Sequence, residues 1–149
     1  YSISDDNGKT WLNPRPLLRK DHGDPILQPV SCCPIYQLAD DRYVLLHHNS
    51  RGNANSPAKI HTPRNPAYIA LGEFKPDADQ PIWFSDSKLF LDNGNTGPDR
   101  QIDGMGNLAV YTSFTNRNGK NILWYPDAKC WLLGKEVSNA FLKDLRIPD

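Results

Sequence analysis

Ser4-Asp5-Asp6-Asn7-Gly8-Lys9-Thr10-Trp11 is the stretch on which the fold is decided. Its defined positions are Ser4-x-Asp6-x-Gly8-x-Thr10-Trp11. A carboxylate at Asp6 can accept backbone N–H groups across a tight turn, Gly8 tolerates a positive φ, and Trp11 can pack beneath the turn. The pattern therefore predicts a β-hairpin. A calcium loop is the rival, because Asp5, Asn7 and Gly8 have EF-hand-like spacing. It fails: Ile3 would hold the first ligand position and Pro14 the twelfth, where a bidentate Glu belongs.

Outward from this turn, 13 prolines and 10 glycines cut the 149 residues into pieces too short for long helices. Between the breaks lie runs rich in aromatic and β-branched residues, at 34–38, 43–47, 67–71, 82–84, 108–114 and 121–125. These read as strands. Residues 39–42 and 116–119 read as tight hairpin turns, Asn118-Gly119 supplying positive φ. Residues 49–65 and 92–106 are long polar loops, a kind that is usually functional or disordered. Only residues 135–145 read as a helix, with Ser138 as N-cap before Ala140, Phe141, Leu142 and Leu145.

A faint repeat follows from the tryptophans after turns. Trp11 precedes Leu17-Leu18 at the same offsets at which Trp83 precedes Leu89-Phe90. The segments PIYQLADDRYVLLHH and LAVYTSFTNRNGKNILWYP are both strand, tight turn, strand. The expectation is an all-β chain: a partial β-propeller of about two to three four-stranded antiparallel blades with a short C-terminal helix. Residues 1–149 then form one domain fragment, with the outer half of one blade, a full blade over about 30–91 and a third starting near 108.

Charge narrows the partners only slightly. Lys plus Arg and Asp plus Glu each number 17, so no global field favours nucleic acid or an anionic surface, and no nucleic-acid partner is expected. No apolar run approaches the roughly 20 residues of a membrane span. The start lacks signal-peptide character and reads as mid-domain sequence with upstream blades missing. Cys32, Cys33 and Cys130 form neither CxxC spacing nor an even set, so they read as buried or free thiols.

The Asp-box pattern resembles the sialidase (neuraminidase) superfamily, whose β-propellers carry such BNR repeats, and related non-enzymatic propellers. Residues 64–74, 80–85, 123–127 and 132–136 are similar to stretches of bacterial sialidase-like proteins, so the resemblance covers most of the chain. It implies an exo-glycosidase acting on a terminal sugar of a glycan or glycoconjugate, sialic acid or a related one, with no cofactor. For the full-length bacterial parent it suggests export or a periplasmic location. The alternative is a non-catalytic propeller module that binds glycan or protein, because a scaffold does not dictate a reaction.

Strand reversal says where to search. In an antiparallel blade the A–B and C–D turns share one end, while the B–C and D–A connections share the other. The Asp box, a C–D turn, is then structural, through Ser4, Asp6, Gly8, Thr10 and Trp11. Glu73 lies at the same end and drops as a catalytic candidate. The opposite end collects Cys32-Cys33, His47, His48, Asn49, Arg64, Arg100, Asp103 and the segment 125–127.

Among these, His47, His48 and Asn49 suit sugar hydroxyls, although either histidine could instead pack between blades. Adjacent strand residues point to opposite faces, and His22 and His61 add no ligand spacing, so no metal site is expected. Arg64 and Arg100 lie in loops from which a guanidinium could take a carboxylate, or where it could simply hold the loop. The resemblance further implies a tyrosine nucleophile, which avoids repulsion from an acidic sugar, assisted by a glutamate, with an aspartate as acid/base. Tyr125 is the candidate nearest the loop end, ahead of Tyr111, though each could be a core aromatic. Asp103 and Asp127 are the acid/base candidates, though either could cap a turn. Gly104-Met105-Gly106-Asn107-Leu108-Ala109 matches a dinucleotide fingerprint but enters a strand-like run rather than a helix, so it is set aside.

Overall fold

The computed structural model describes residues 1–51, 64–92, 112–127 and 131–149. Its first sheet is an antiparallel meander. Strand β1 (Ile35–Gln37) pairs with β2 (Tyr43–His47), β2 with β3 (Ala67–Phe74), and β3 with both β4 (Ile82–Phe84) and β5 (Lys88–Leu91). The β3 register runs from Phe74↔Ile82 to Ala67↔Leu91, so β4 and β5 are two halves of one outer strand. Ser85 bridges the break: its N–H reaches Leu71 O at 2.8 Å and its hydroxyl accepts from Leu71 N at 2.9 Å. Four strands in sequential order are the unit expected for residues 30–91.

The second sheet contains β6 (Ser113–Arg117), β7 (Lys120–Asp127) and β8 (Trp131–Glu136) in sequence order. Asn118 and Gly119 turn β6 into β7 with φ of 52° and 73°, as a two-residue hairpin requires. Three strands stand where a four-stranded blade was expected, and the described strands close neither barrel nor propeller. The expected helix is also shorter. Lys135 and Glu136 belong to β8, opposite Leu123 and Ile122, and α1 covers only Asn139–Leu142. Ser138 does cap it, accepting from Phe141 N at 3.1 Å. Strand β8 contains Gly134 because a Cβ there would lie 2.8 Å from Trp124 Cζ3 on the facing strand.

Alternation divides the first sheet into two apolar faces. Val44, Leu46, Ala67, Ile69 and Leu71 pack against Leu123, Tyr125, Val137 and Leu142, joining both sheets and α1 in one core. Leu45, Ala70 and Phe84 point the other way, toward Leu17, Ile26, Cys33 and Ile82. Two carboxamide and carboxylate contacts clasp the N-terminal segment there. Gln80, 2 % exposed, accepts from Leu18 N and donates to Leu18 O and Ile82 O, while Asp21 accepts from Asp79 N and Gln80 N.

The opening turn forms a hairpin closed by Leu12 N to Ile3 O and Arg15 N to Tyr1 O, each 2.8 Å. Asp6 accepts from Lys9 N and Thr10 N at 2.9 Å, Thr10 Oγ1 at 2.7 Å and Ser4 Oγ at 2.8 Å. Gly8 adopts φ 83° and donates to Ser4 Oγ at 2.7 Å. Trp11 departs from expectation: it approaches Gly8, yet remains 65 % exposed rather than packed under the turn.

The bonds to Asp6, those from Thr10 first, hold its carboxyl down at about 2. A depressed carboxyl stabilises the folded turn fully above its unfolded value of about 3.9, and that contribution disappears as pH falls toward 2. Amide protection at Gly8, Lys9 and Thr10 is therefore expected to fall across that acid window, and Asp6→Asn to lower it already at neutral pH. NMR-detected exchange checks this; protection indifferent to both changes would remove Asp6 as the organiser of the turn.

Candidate functional site

Register fixes the two ends of the first sheet. Gln37↔Tyr43, Tyr43↔Gly72 and Phe74↔Ile82 lie at the end with the short turns 38–42 and 75–81. At the other end lie Ile35↔Leu45, His47↔Tyr68 and Ala67↔Leu91, and there the chain departs toward residues 52–63 and 93–111. Glu73 sits near the short turns, exposed and 3.5 Å from Lys75 Nζ.

His47 ends β2 on the face of Leu45 and is 1 % exposed. Its Nε2 lies 2.8 Å from Ser87 Oγ, and its Nδ1 faces both Leu27 O at 3.1 Å and Asn49 N at 3.2 Å. A carbonyl needs Nδ1–H and an amide needs its lone pair, so two neutral tautomers compete, and the Ser87 hydroxyl can serve either. Burial lowers the His47 pKa, which keeps the ring neutral. This imidazole ties the outer strand and the 27–28 segment to β2.

His48 turns to the other side and is 3 % exposed. Its backbone N–H donates to Gln28 Oε1 at 2.8 Å, and Gln28 Nε2 donates to Cys32 O at 2.6 Å. Its Nδ1 lies 3.2 Å from Pro66 O, an acceptor only, so the proton sits on Nδ1. Nε2 then carries a lone pair, and it is a buried atom with no hydrogen-bond partner. Burial first, and the Arg64 charge after it, push the His48 pKa down against the opposing pull of the Pro66 hydrogen bond.

Asn49 follows, exposed, with φ of 48°. Arg64 reaches across to donate from Nη2 to Val30 O at 2.8 Å. Asn65 Nδ2 donates to Asp92 Oδ1 at 3.1 Å, which links the residue after one long segment to the residue before the other. Beside the buried His48 ring, the loop end thus holds a guanidinium, a carboxamide and a carboxylate, groups of the kind that bind hydroxyls and a carboxylate.

Tyr125 is elsewhere: it lies in the inter-sheet core, 5 % exposed. The Asp127 backbone ends β7 opposite Trp131. Arg100, Asp103, Tyr111 and the glycine-rich 104–109 motif lie outside the described residues. Sequence reading placed Asn65 with Arg64 at this end and Asp92 at the start of the second long loop, but it missed their contact and missed Gln28, which nothing local marks. Among the described residues, no three His, Cys, Asp or Glu side chains converge on a metal position.

A cavity of about 550 Å³ lies on the other apolar face, lined by Leu17, Ile26, Cys33, Leu45, Ile82 and Phe84. Its only thiol is inert, because burial pushes the Cys33 pKa up to about 11. Its polar lining is confined to Tyr1, Ser2, Gln28 and Gln80, and the rest is mainly apolar. No helix among the described residues is long and apolar enough to cross a membrane. The chain matches no family model, no curated protein and no solved structure.

Proposed function

We propose that this chain belongs to a sialidase-like β-propeller and contributes the sugar-binding rim of an exo-glycosidase that removes a terminal sialic acid or related sugar from glycans. The observation that carries the proposal is that His48, Arg64 and the bonded pair Asn65–Asp92 all lie at the end of the first sheet toward which both long segments run. Arg64 takes the sugar carboxylate, Asn49 takes hydroxyls, Arg100 adds a second guanidinium, and His48, whose ring is buried, acts beneath them by positioning the strand end. Asp103 and Asp127 are the proposed acid/base groups; Tyr125, the tyrosine proposed as nucleophile, would have to leave the inter-sheet core to reach a sugar.

The burial of Tyr125 favours a second reading, a propeller module that binds glycan without cleaving it. Fluorogenic aryl glycosides, α-sialosides included, separate the two when hydrolysis and calorimetric binding of sialyllactose are measured together. Hydrolysis supports the enzyme; binding without release supports the module; neither rejects a glycan role for this chain. In either supported case Arg64→Ala is expected to raise KM or Kd by about 10- to 100-fold, the loss of a charge-assisted hydrogen bond. Arg64→Lys is expected to recover only part of it, because a bidentate fork becomes a point charge.

A further inference from the structure

The chain contains two Asn-Gly steps that are nearly a controlled comparison. Asn7-Gly8 and Asn118-Gly119 both sit at turns, both are exposed, and both place the asparagine at positive φ, 59° and 52°, followed by a glycine at 83° and 73°. They differ in the residue before the asparagine, Asp6 against Arg117, and in what holds the glycine amide. Gly8 N–H donates to Ser4 Oγ at 2.7 Å, inside a turn further held by Asp6. For Gly119 N–H no hydrogen bond is found among the described residues, and a Cβ on Gly119 would meet nothing within 4 Å.

The nitrogen of the following glycine is the nucleophile in asparagine deamidation. It must turn toward Asn Cγ, and a glycine lets it approach because no side chain obstructs the attack. We infer that Asn118 is a spontaneous modification site and that Asn7, which shares the Asn-Gly-Lys sequence, is protected by its Asp box. At Asn118 the Gly119 nitrogen attacks Cγ and loses its proton, the Cγ–Nδ2 bond breaks, and ammonia leaves. Water then opens the resulting succinimide at either carbonyl, giving Asp or isoAsp. At Asn7 the same attack requires breaking the Gly8–Ser4 bond and swinging the amide out of the turn.

The surroundings of Asn118 favour the reaction. Strand β6 is exposed along most of its length, and among the described residues Ser113–Arg117 pairs only with β7, so local opening is inexpensive. The product matters for the hairpin. IsoAsp adds a backbone carbon to a two-residue turn, which breaks the Arg117↔Lys120 and Asn116↔Asn121 register, and either product places a negative charge between Arg117 and Lys120.

Peptide mapping by mass spectrometry of the folded chain, aged at mildly alkaline pH, tests this directly through a gain of about 1 Da per event. Asn118 is expected to react at least about tenfold faster than Asn7, and the ratio to approach one in urea, where no turn survives. Ser4→Ala is expected to accelerate Asn7 without altering Asn118. A second arm, Asn118→Gln, should abolish the main product, because a glutamine must close a larger ring. Equal rates in the folded chain, or faster reaction at Asn7, would overturn the inference.

Discussion

Leu123→Ala is expected to lower the unfolding free energy by about 2–5 kcal/mol, the range for deleting a fully buried leucine. Leu123 is 0 % exposed near the middle of β7 and belongs to the core that joins β2 and β3 to the second sheet. Its register partners are Phe114 on one side and Lys135 on the other, so backbone pairing holds both flanking strands in place. Neighbours fixed in this way cannot collapse into the space left behind, which puts the expected cost in the upper part of the range. Leu132→Ala provides the comparison, because Leu132 is 71 % exposed and its loss should stay within about 0.5 kcal/mol. Urea denaturation followed by both circular dichroism and tryptophan fluorescence measures the difference. Equal effects of the two substitutions would mean that the sheets do not share a core.

Gln80→Leu is expected to cost about 2–4 kcal/mol although it replaces a polar side chain by an apolar one of similar size. The Gln80 carboxamide makes three bonds from a buried position: Leu18 N at 2.8 Å, Leu18 O at 2.7 Å and Ile82 O at 2.7 Å. Leucine satisfies none of these groups. An orphaned donor or acceptor costs about 1–3 kcal/mol, and partial exposure of Leu18 lets water recover some of it. Asp21 continues to hold Asp79 N and Gln80 N in the variant, so the sheet itself should persist. The loss should therefore appear as earlier proteolysis within residues 17–26, ahead of cleavage in β2 or β3. A variant cleaved no faster there than the parent would show that apolar contacts of Leu17 and Ile26 suffice to dock the segment.

Much of the fold was legible where short-range chemistry decides it. The runs 43–47, 67–71 and 82–84 are strands because β-branched and aromatic side chains suit a pleated, half-buried surface. Asn118-Gly119 and the Ser138 cap were readable for the same reason: each specifies its own backbone. Strand β5 was not readable. Lys88-Leu89-Phe90-Leu91 has no clear alternation, and it is a strand because the eight residues of β3 extend beyond β4 and leave an edge to pair. Strand β8 was hidden similarly, since Lys135 and Glu136 favour a helix until β7 offers them partners.

At the candidate site the sequence indicated an end of the first sheet more readily than it identified particular side chains. Two long polar segments and strand reversal pointed to His47, His48, Asn49 and Arg64, and strand alternation to the opposite orientations of the two histidines, but not to what surrounds each ring. Their adjacency places them on opposite faces of a strand, whereas the surroundings of each face depend on residues far away in sequence. Leu27 and Ser87 enclose His47, while Pro66 fixes the tautomer of His48. The Asn65–Asp92 contact links residues 27 positions apart and has no local signature.

The sequence by itself determined the Asp-box turn, the tight hairpins, the antiparallel order and therefore which connections share an end. These follow from backbone preferences and from the reversal of direction at each turn. Only the tertiary structure decided that Tyr125 lies in the core, that Trp11 stays exposed, and that His48 retains a buried lone pair without a donor. Exposure and hydrogen-bond pairing depend on what a distant segment brings to the same place, and residue spacing along one strand does not contain that information.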